Sequence, residues 1–173
     1  MIELEKTYLL KEIPSGLKEC KSKEVIDIYI PKTSEHPTLR VRKNGDKLEM
    51  TKKEPVDLGD SSIQKEQTII LSKSEFDAFM NFDGKKVHKR RYYYNHNGRQ
   101  AEIDVFQGPL KGLILADFEF DSKEEKDSFE MPDFCLKEIT QELFIAGGMI
   151  CGKSYEDIEE NLKRFNYLKL FME

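Results

Sequence analysis

Twelve charged residues, spaced at the two-residue period of a β-strand, carry the chemistry this chain could do. Seven are carboxylates: Glu3, Glu5, Glu66, Glu102, Asp104, Asp117 and Glu119. Five are cations: Arg40, Arg42, Lys53, Lys89 and Arg91. Most fall in pairs two apart, which sets both members on one face of a strand. Carboxylate oxygens are the donors that Mg²⁺ and Mn²⁺ prefer. Guanidinium and ammonium groups suit phosphate oxygens, the first as a bidentate fork and the second as a point charge. Both sets in one cavity would hold a ligand that brings several phosphates and needs a divalent ion to balance them. A buried unpaired charge is very costly, so such a cavity must be wet, paired or filled by a charged ligand. Charge alternation is also what a solvent face looks like, and the period alone does not tell a lumen from an outer surface. Here, however, the same face is charged on at least six strands.

The elements that must position these residues are strands. In the first, Glu3, Glu5 and Thr7 point one way, and Ile2, Leu4, Lys6, Tyr8 and Leu10 point the other, toward covering helices. A break at Pro14-Ser15-Gly16 and a short helix within 17–24 lead to a strand over 25–30, ended by Pro31. Residues 38–43 alternate cleanly, turn at Asn44-Gly45 or Gly45-Asp46, and return over 47–53. A polar loop from Glu54 to Ser61 precedes a strand over 63–71. Residues 73–82 have helix spacing, with Phe76, Phe79 and Met80 as the apolar stripe and Ser72 or Ser74 as the cap. Strands over 87–96 and 99–106 flank Asn97-Gly98, a strong hairpin signal, and a strand over 113–120 closes the series. From Ser122 onward the pattern turns helical, with C-terminal helices from about residue 139. Ser154 and Asp157 cap the last of them. Eight strands joined mostly by hairpins can close into a barrel with a narrow interior. The expected class is α+β: an eight-stranded antiparallel β-barrel, or tunnel, with helices packed outside, the whole of 1–173 forming one domain.

Composition narrows the partners. The chain is 35% charged with a formal net charge of -5, against the basic excess of a general nucleic-acid binder. Cys20, Cys135 and Cys151 have no metal-ligand spacing and read as reduced thiols, and His36, His88 and His96 are too scattered for zinc. A strand pattern begins at once, with no leader and no 18-residue apolar run. The expectation is a cytoplasmic protein, monomer or homodimer, that binds neither membrane nor nucleic acid.

In this order the motifs resemble the CYTH family, the triphosphate tunnel metalloenzymes, which includes class IV adenylyl cyclases, thiamine triphosphatases and inorganic triphosphatases. The carriers run nearly end to end, from Glu3 to about Tyr155. They are Glu3-x-Glu5, Arg40-x-Arg42, Thr51-x-Lys53, Glu66, Lys89-x-Arg91, Asp104-Val105-Phe106 with Gly112-Leu113, Asp117-x-Glu119 and Glu138-Ile139-Thr140. The resemblance implies an eight-stranded tunnel that binds a triphosphate. It implies Mg²⁺ or Mn²⁺ on Glu3, Glu5, Asp117 and Glu119, and substrate contacts from Arg40, Arg42, Lys53, Glu66, Lys89 and Arg91. Glu3, Glu5, Lys53 and Arg91 would be the catalytic set in a two-metal phosphoryl transfer. One position departs from the family's Glu-x-Glu-x-Lys signature: its last place is Thr7, with the lysine one earlier at Lys6. A one-residue offset turns a side chain to the opposite face of a strand, so Lys6 should not reach the tunnel.

Three functions compete on these grounds. The first is a metal-dependent phosphohydrolase acting on inorganic triphosphate or a related compound such as thiamine triphosphate or a nucleoside triphosphate. The second is an adenylyl cyclase, for which no adenine-binding or ribose-aligning motif is visible. The third is a polyphosphate- or nucleotide-binding module that lost turnover with the missing lysine.

Overall fold

The computed structural model describes residues 1–57 and 59–172. Eight strands form the wall: β1 (Ile2–Leu10), β2 (Ser22–Ile30), β3 (Leu39–Asn44), β4 (Lys47–Asp57), β5 (Asp60–Ile70), β6 (Lys85–His96), β7 (Arg99–Phe106) and β8 (Ile114–Phe120). They run in the order β5-β4-β3-β2-β6-β7-β8-β1, and β1 pairs back onto β5, which closes an antiparallel barrel. The two turns singled out in the sequence carry the backbone that two-residue hairpins need: Asn97 and Gly98 have φ of 51° and 86°, and Gly45 has φ of 60°.

Two segments differ from expectation. The loop expected over 54–61 is mostly strand, with β4 and β5 pairing down to Asp57 and Asp60; Leu58 lies outside the described residues. A register shift between Pro55 and Asp57 marks the irregularity at which a strand tolerates a proline. The stretch after Ser122, expected to be helical, contains a ninth strand, β9 (Cys135–Glu138). It pairs with the end of β1 across a shift between Leu9 and Leu10. Four residues are too few to display a strand period, so tertiary pairing decides the conformation here.

The helices are α1 (Lys73–Phe79), α2 (Lys123–Ser128), α3 (Gly147–Ile150) and α4 (Tyr155–Lys163). A capping box of Ser72 with Glu75 starts α1, and one of Ser154 with Asp157 starts α4. None of the described helices is long and apolar enough to cross a membrane.

Apolar burial falls into two clusters. In the first, Tyr8, Leu10, Ile103, Ala116, Phe118 and Phe120 point away from the lumen and pack with Phe129, Phe134 and Leu170. The second contains Leu9, Tyr29, Val87, Phe106 and Leu115, which have the lumen-facing parity, packed against Ile145, Ile150, Tyr155, Ile158 and Leu162. The segments carrying α3 and α4 therefore close one end of the barrel, and its cavity opens at the end where β1 begins. Gly147 permits this closure: a Cβ there would lie 2.3 Å from the Tyr29 hydroxyl.

Candidate active site

Strand register places the charged residues in layers. The deepest layer rests on the apolar floor, because its members pair across strands with floor residues. Arg40 is opposite Tyr29, Asp27 opposite Val87, Lys89 opposite Phe106 and Asp104 opposite Leu115. Arg42 donates two bonds to Asp27, Nε to Oδ1 at 2.6 Å and Nη2 to Oδ2 at 2.8 Å. Arg91 holds Asp104 the same way, with both bonds at 2.7 Å. Lys89 also donates to Asp104, and Arg91 Nη1 donates to Glu102. Asp27 and Asp104 are each 1% exposed. Burial alone would raise their pKa values. The facing Arg42 holds Asp27 well below the carboxylate range, and Arg91 with Lys89 holds Asp104 at about 2. Burial draws the Lys89 ammonium down despite Asp104 beside it.

Arg40 is the remaining cation of this layer. Its Nη1 donates to the Tyr29 hydroxyl at 3.1 Å, Nη2 lies 3.6 Å from Glu66, and the buried Nε has no partner. An orphaned buried donor is rare in a native fold, and this one leaves the Arg40 guanidinium incompletely satisfied by the protein's own groups.

The layer toward the mouth is acidic. Lys53 reaches from β4 past β5 to β1, with Nζ 2.7 Å from Glu5 and 3.0 Å from Glu3. Asp117 accepts from the Thr7 hydroxyl at 2.7 Å and lies 3.9 Å from Arg91. Glu119 is opposite Glu5 and stands at the rim, where a recess of about 510 Å³ at the β6–β7 turn includes it and Glu102. Partial burial and the carboxylates of Glu102 and Glu3 push Glu119 up to about 7. Burial likewise raises Glu5, with Asp117 and Glu3 adding to it against the pull of Lys53.

Every residue the sequence nominated for the site lies on the lumen-facing side: Glu3, Glu5, Arg40, Arg42, Lys53, Glu66, Lys89, Arg91, Asp117 and Glu119. The cations converge on one cavity. The acids do so less tightly: among the described residues no three His, Cys, Asp or Glu side chains stand in metal-binding array. Glu3 and Glu5 nonetheless meet at a single cation, the Lys53 ammonium. That stand-in ion indicates that the pair can share a divalent ion of the oxygen-preferring kind. Lys6 is on the outer face, 3.6 Å from Glu138 of β9. Two lumen residues escaped the sequence reading. Asp27 is flanked by Ile26 and Ile28 in an otherwise apolar run, and that lone acid was the available signal. Tyr29 carried none.

No protein-family model matches the chain. An inorganic triphosphatase of Nitrosomonas europaea is 28% identical over 144 residues, covering 82% of this chain and 91% of the relative. The crystal structure of an inorganic triphosphatase superposes with a TM-score of 0.64 at 25% identity, covering 87% of this chain and 95% of the other. A candidate adenylate cyclase from Bacillus halodurans, at 15% identity and a TM-score of 0.52 over 99% and 93% of the two chains, shares the fold. The superpositions show that these proteins share the fold of this chain. These likenesses support the resemblance to the CYTH family that the sequence motifs carry.

Proposed function

We propose that this protein is a metal-dependent triphosphatase that hydrolyses inorganic triphosphate or a related triphosphate compound inside the barrel. The observation that carries this reading is the polarity of the lumen. Among the described residues, four cations (Arg40, Arg42, Lys89 and Arg91) share the deep layer with Asp27 and Asp104, and Glu66 and Glu102 meet Arg40 and Arg91 at its edge. Glu3, Glu5, Asp117 and Glu119 crowd toward the mouth with Lys53 as their cation. A linear phosphate chain entering from the open end would place its leading phosphates on the guanidinium and ammonium groups. Its remaining negative charge would then lie beside carboxylates, an arrangement that needs a metal between them. The likeness to inorganic triphosphatases supports the same reading.

In this mechanism Arg40, Arg42, Lys89 and Arg91 bind and orient the phosphates. Glu3 and Glu5, with Asp117 and Glu119 beside them, would hold Mg²⁺ or Mn²⁺. Bound there, the ion would screen phosphate charge and polarise the phosphoryl group or an attacking water. The closed floor shields the deep end from bulk water, which strengthens each charge interaction there.

Incubation with Mg²⁺ or Mn²⁺ and tripolyphosphate, ATP or thiamine triphosphate, with products resolved, tests the proposal. Metal-dependent phosphate release from tripolyphosphate is expected. Cyclic AMP from ATP would identify a cyclase, and tight binding without turnover a binding module.

Thr7 offers a second test. Its hydroxyl donates to Asp117 but carries no charge, whereas Lys6 is tied to Glu138 outside the barrel. Thr7→Lys would add an ammonium beside the substrate's negative charge. It is expected to lower KM for tripolyphosphate or raise kcat, and Lys6→Ala to change neither by more than about twofold, since Lys6 pairs with Glu138 on the outer face, away from the lumen. A crippled Lys6→Ala with an inert Thr7→Lys would reverse the assigned faces of β1.

A further inference from the structure

Lys53 occupies the point at which Glu3 and Glu5 converge, and that position has a consequence beyond substrate binding. The side chain starts on β4, opposite Glu66, and passes over β5 to place its ammonium within 3.0 Å of both β1 carboxylates. Its ammonium is thus lodged between the two carboxylates, and a divalent ion seated on the same pair would have to share its volume with a like charge. The two cannot both stay. Lysine has a flexible four-carbon stem and is bound as a point charge, so its ammonium can move while its backbone stays in the strand. The neighbouring lumen group on its own side of the barrel is Arg40, whose guanidinium lies 3.6 Å from Glu66, the residue opposite Lys53.

We infer that Lys53 is the resident cation of the Glu3–Glu5 pair and an exchange element between metal and phosphate: a divalent ion entering the pair expels the ammonium, which moves to the phosphate chain. The inference rests on the metal-and-triphosphate reading above. The exchange balances charge in each state. Without ligands, the ammonium neutralises carboxylates that would otherwise repel one another. With ligands, the divalent ion takes over that role and the ammonium offsets phosphate charge. Each ligand thereby removes the competitor of the other, which is a reciprocal coupling between two sites. A lysine that served the substrate alone would leave metal affinity unchanged.

The measurement is Mn²⁺ affinity without phosphate at pH 8, read by electron paramagnetic resonance of the free ion, in wild type, Lys53→Met and Lys53→Arg. Removal of the competing charge should tighten Mn²⁺ binding in Lys53→Met by on the order of tenfold, within the usual range of such couplings. Lys53→Arg, which keeps the charge, should stay near wild type. Tripolyphosphate affinity should fall in Lys53→Met. Lys53→Gln replaces it if Lys53→Met is not folded by circular dichroism. Equal or weaker Mn²⁺ binding in the uncharged variants, with wild type binding normally, overturns the exchange alone. Absence of Mn²⁺ binding by wild type overturns the metal reading and the exchange with it.

Discussion

Glu5→Gln is expected to lower tripolyphosphate hydrolysis by on the order of 10²–10³-fold at limiting Mn²⁺, the range seen when one preorganised electrostatic group is removed. The metal-free melting temperature should stay at or above that of wild type. The loss follows from the geometry of the pair. Glu5 and Glu3 meet at one cation, and the amide oxygen of Gln retains shape and a weak lone pair but no charge. The retained stability follows from its surroundings. Burial, Asp117 and Glu3 raise the pKa of Glu5 even with Lys53 beside it, so its ionisation costs more in the metal-free fold than in the unfolded chain. A neutral isostere relieves that cost. Activity at limiting metal, followed by phosphate release, and a thermal melt in chelator check both halves. Full activity in Glu5→Gln would remove it from the metal set.

Asp104→Ala should act in the opposite sense, costing about 3–5 kcal/mol of stability at pH 7.5, as expected when one partner of a buried ion pair is removed. Asp104 accepts two bonds from Arg91 and one from Lys89, in a layer resting on Phe106 and Leu115. Without it, two buried cations keep only Glu102 and the more distant Asp117. The pH dependence has a definite sign. The Asp104 carboxyl is lowered from 3.8 to about 2, so its contribution is complete above the unfolded-state value and disappears as pH falls toward 2. Urea denaturation should therefore show a gap between wild type and variant that is full at neutral pH and narrows in acid. Equal stability at pH 7.5 would mean that the paired charges of the deep layer do not support the fold.

Much of this was legible in the residues, and the part that was not has identifiable causes. Where one face of a strand is charged and the other apolar, the period of two fixes which side faces the lumen. Glu3, Glu5 and Thr7 point in, and Lys6 points out to Glu138, as their parity requires. The barrel's two sides were thus readable, but its two ends were not. Leu9, Tyr29, Val87, Phe106 and Leu115 have the lumen parity yet are apolar, because the segments of α3 and α4 cover them. That closure depends on contacts distant in sequence, including the approach of Gly147 to Tyr29, which no local pattern encodes. Asp27 was hidden for a related reason: a single acid among isoleucines looks like an interruption until Arg42 is placed opposite by register. Pro55 and Gly59 read as a loop because a shift in β-pairing that accommodates a proline leaves no mark in the sequence.

The central claim is that one lumen binds a metal at its mouth and phosphates at its floor. The most direct test is anomalous diffraction from crystals grown with Mn²⁺ and a non-hydrolysable imido analogue of triphosphate. The account predicts an Mn²⁺ peak between the Glu3 and Glu5 carboxylates and phosphate density against Arg40, Arg42, Lys89 and Arg91. Manganese remote from that pair, or the analogue bound outside the barrel, would contradict it.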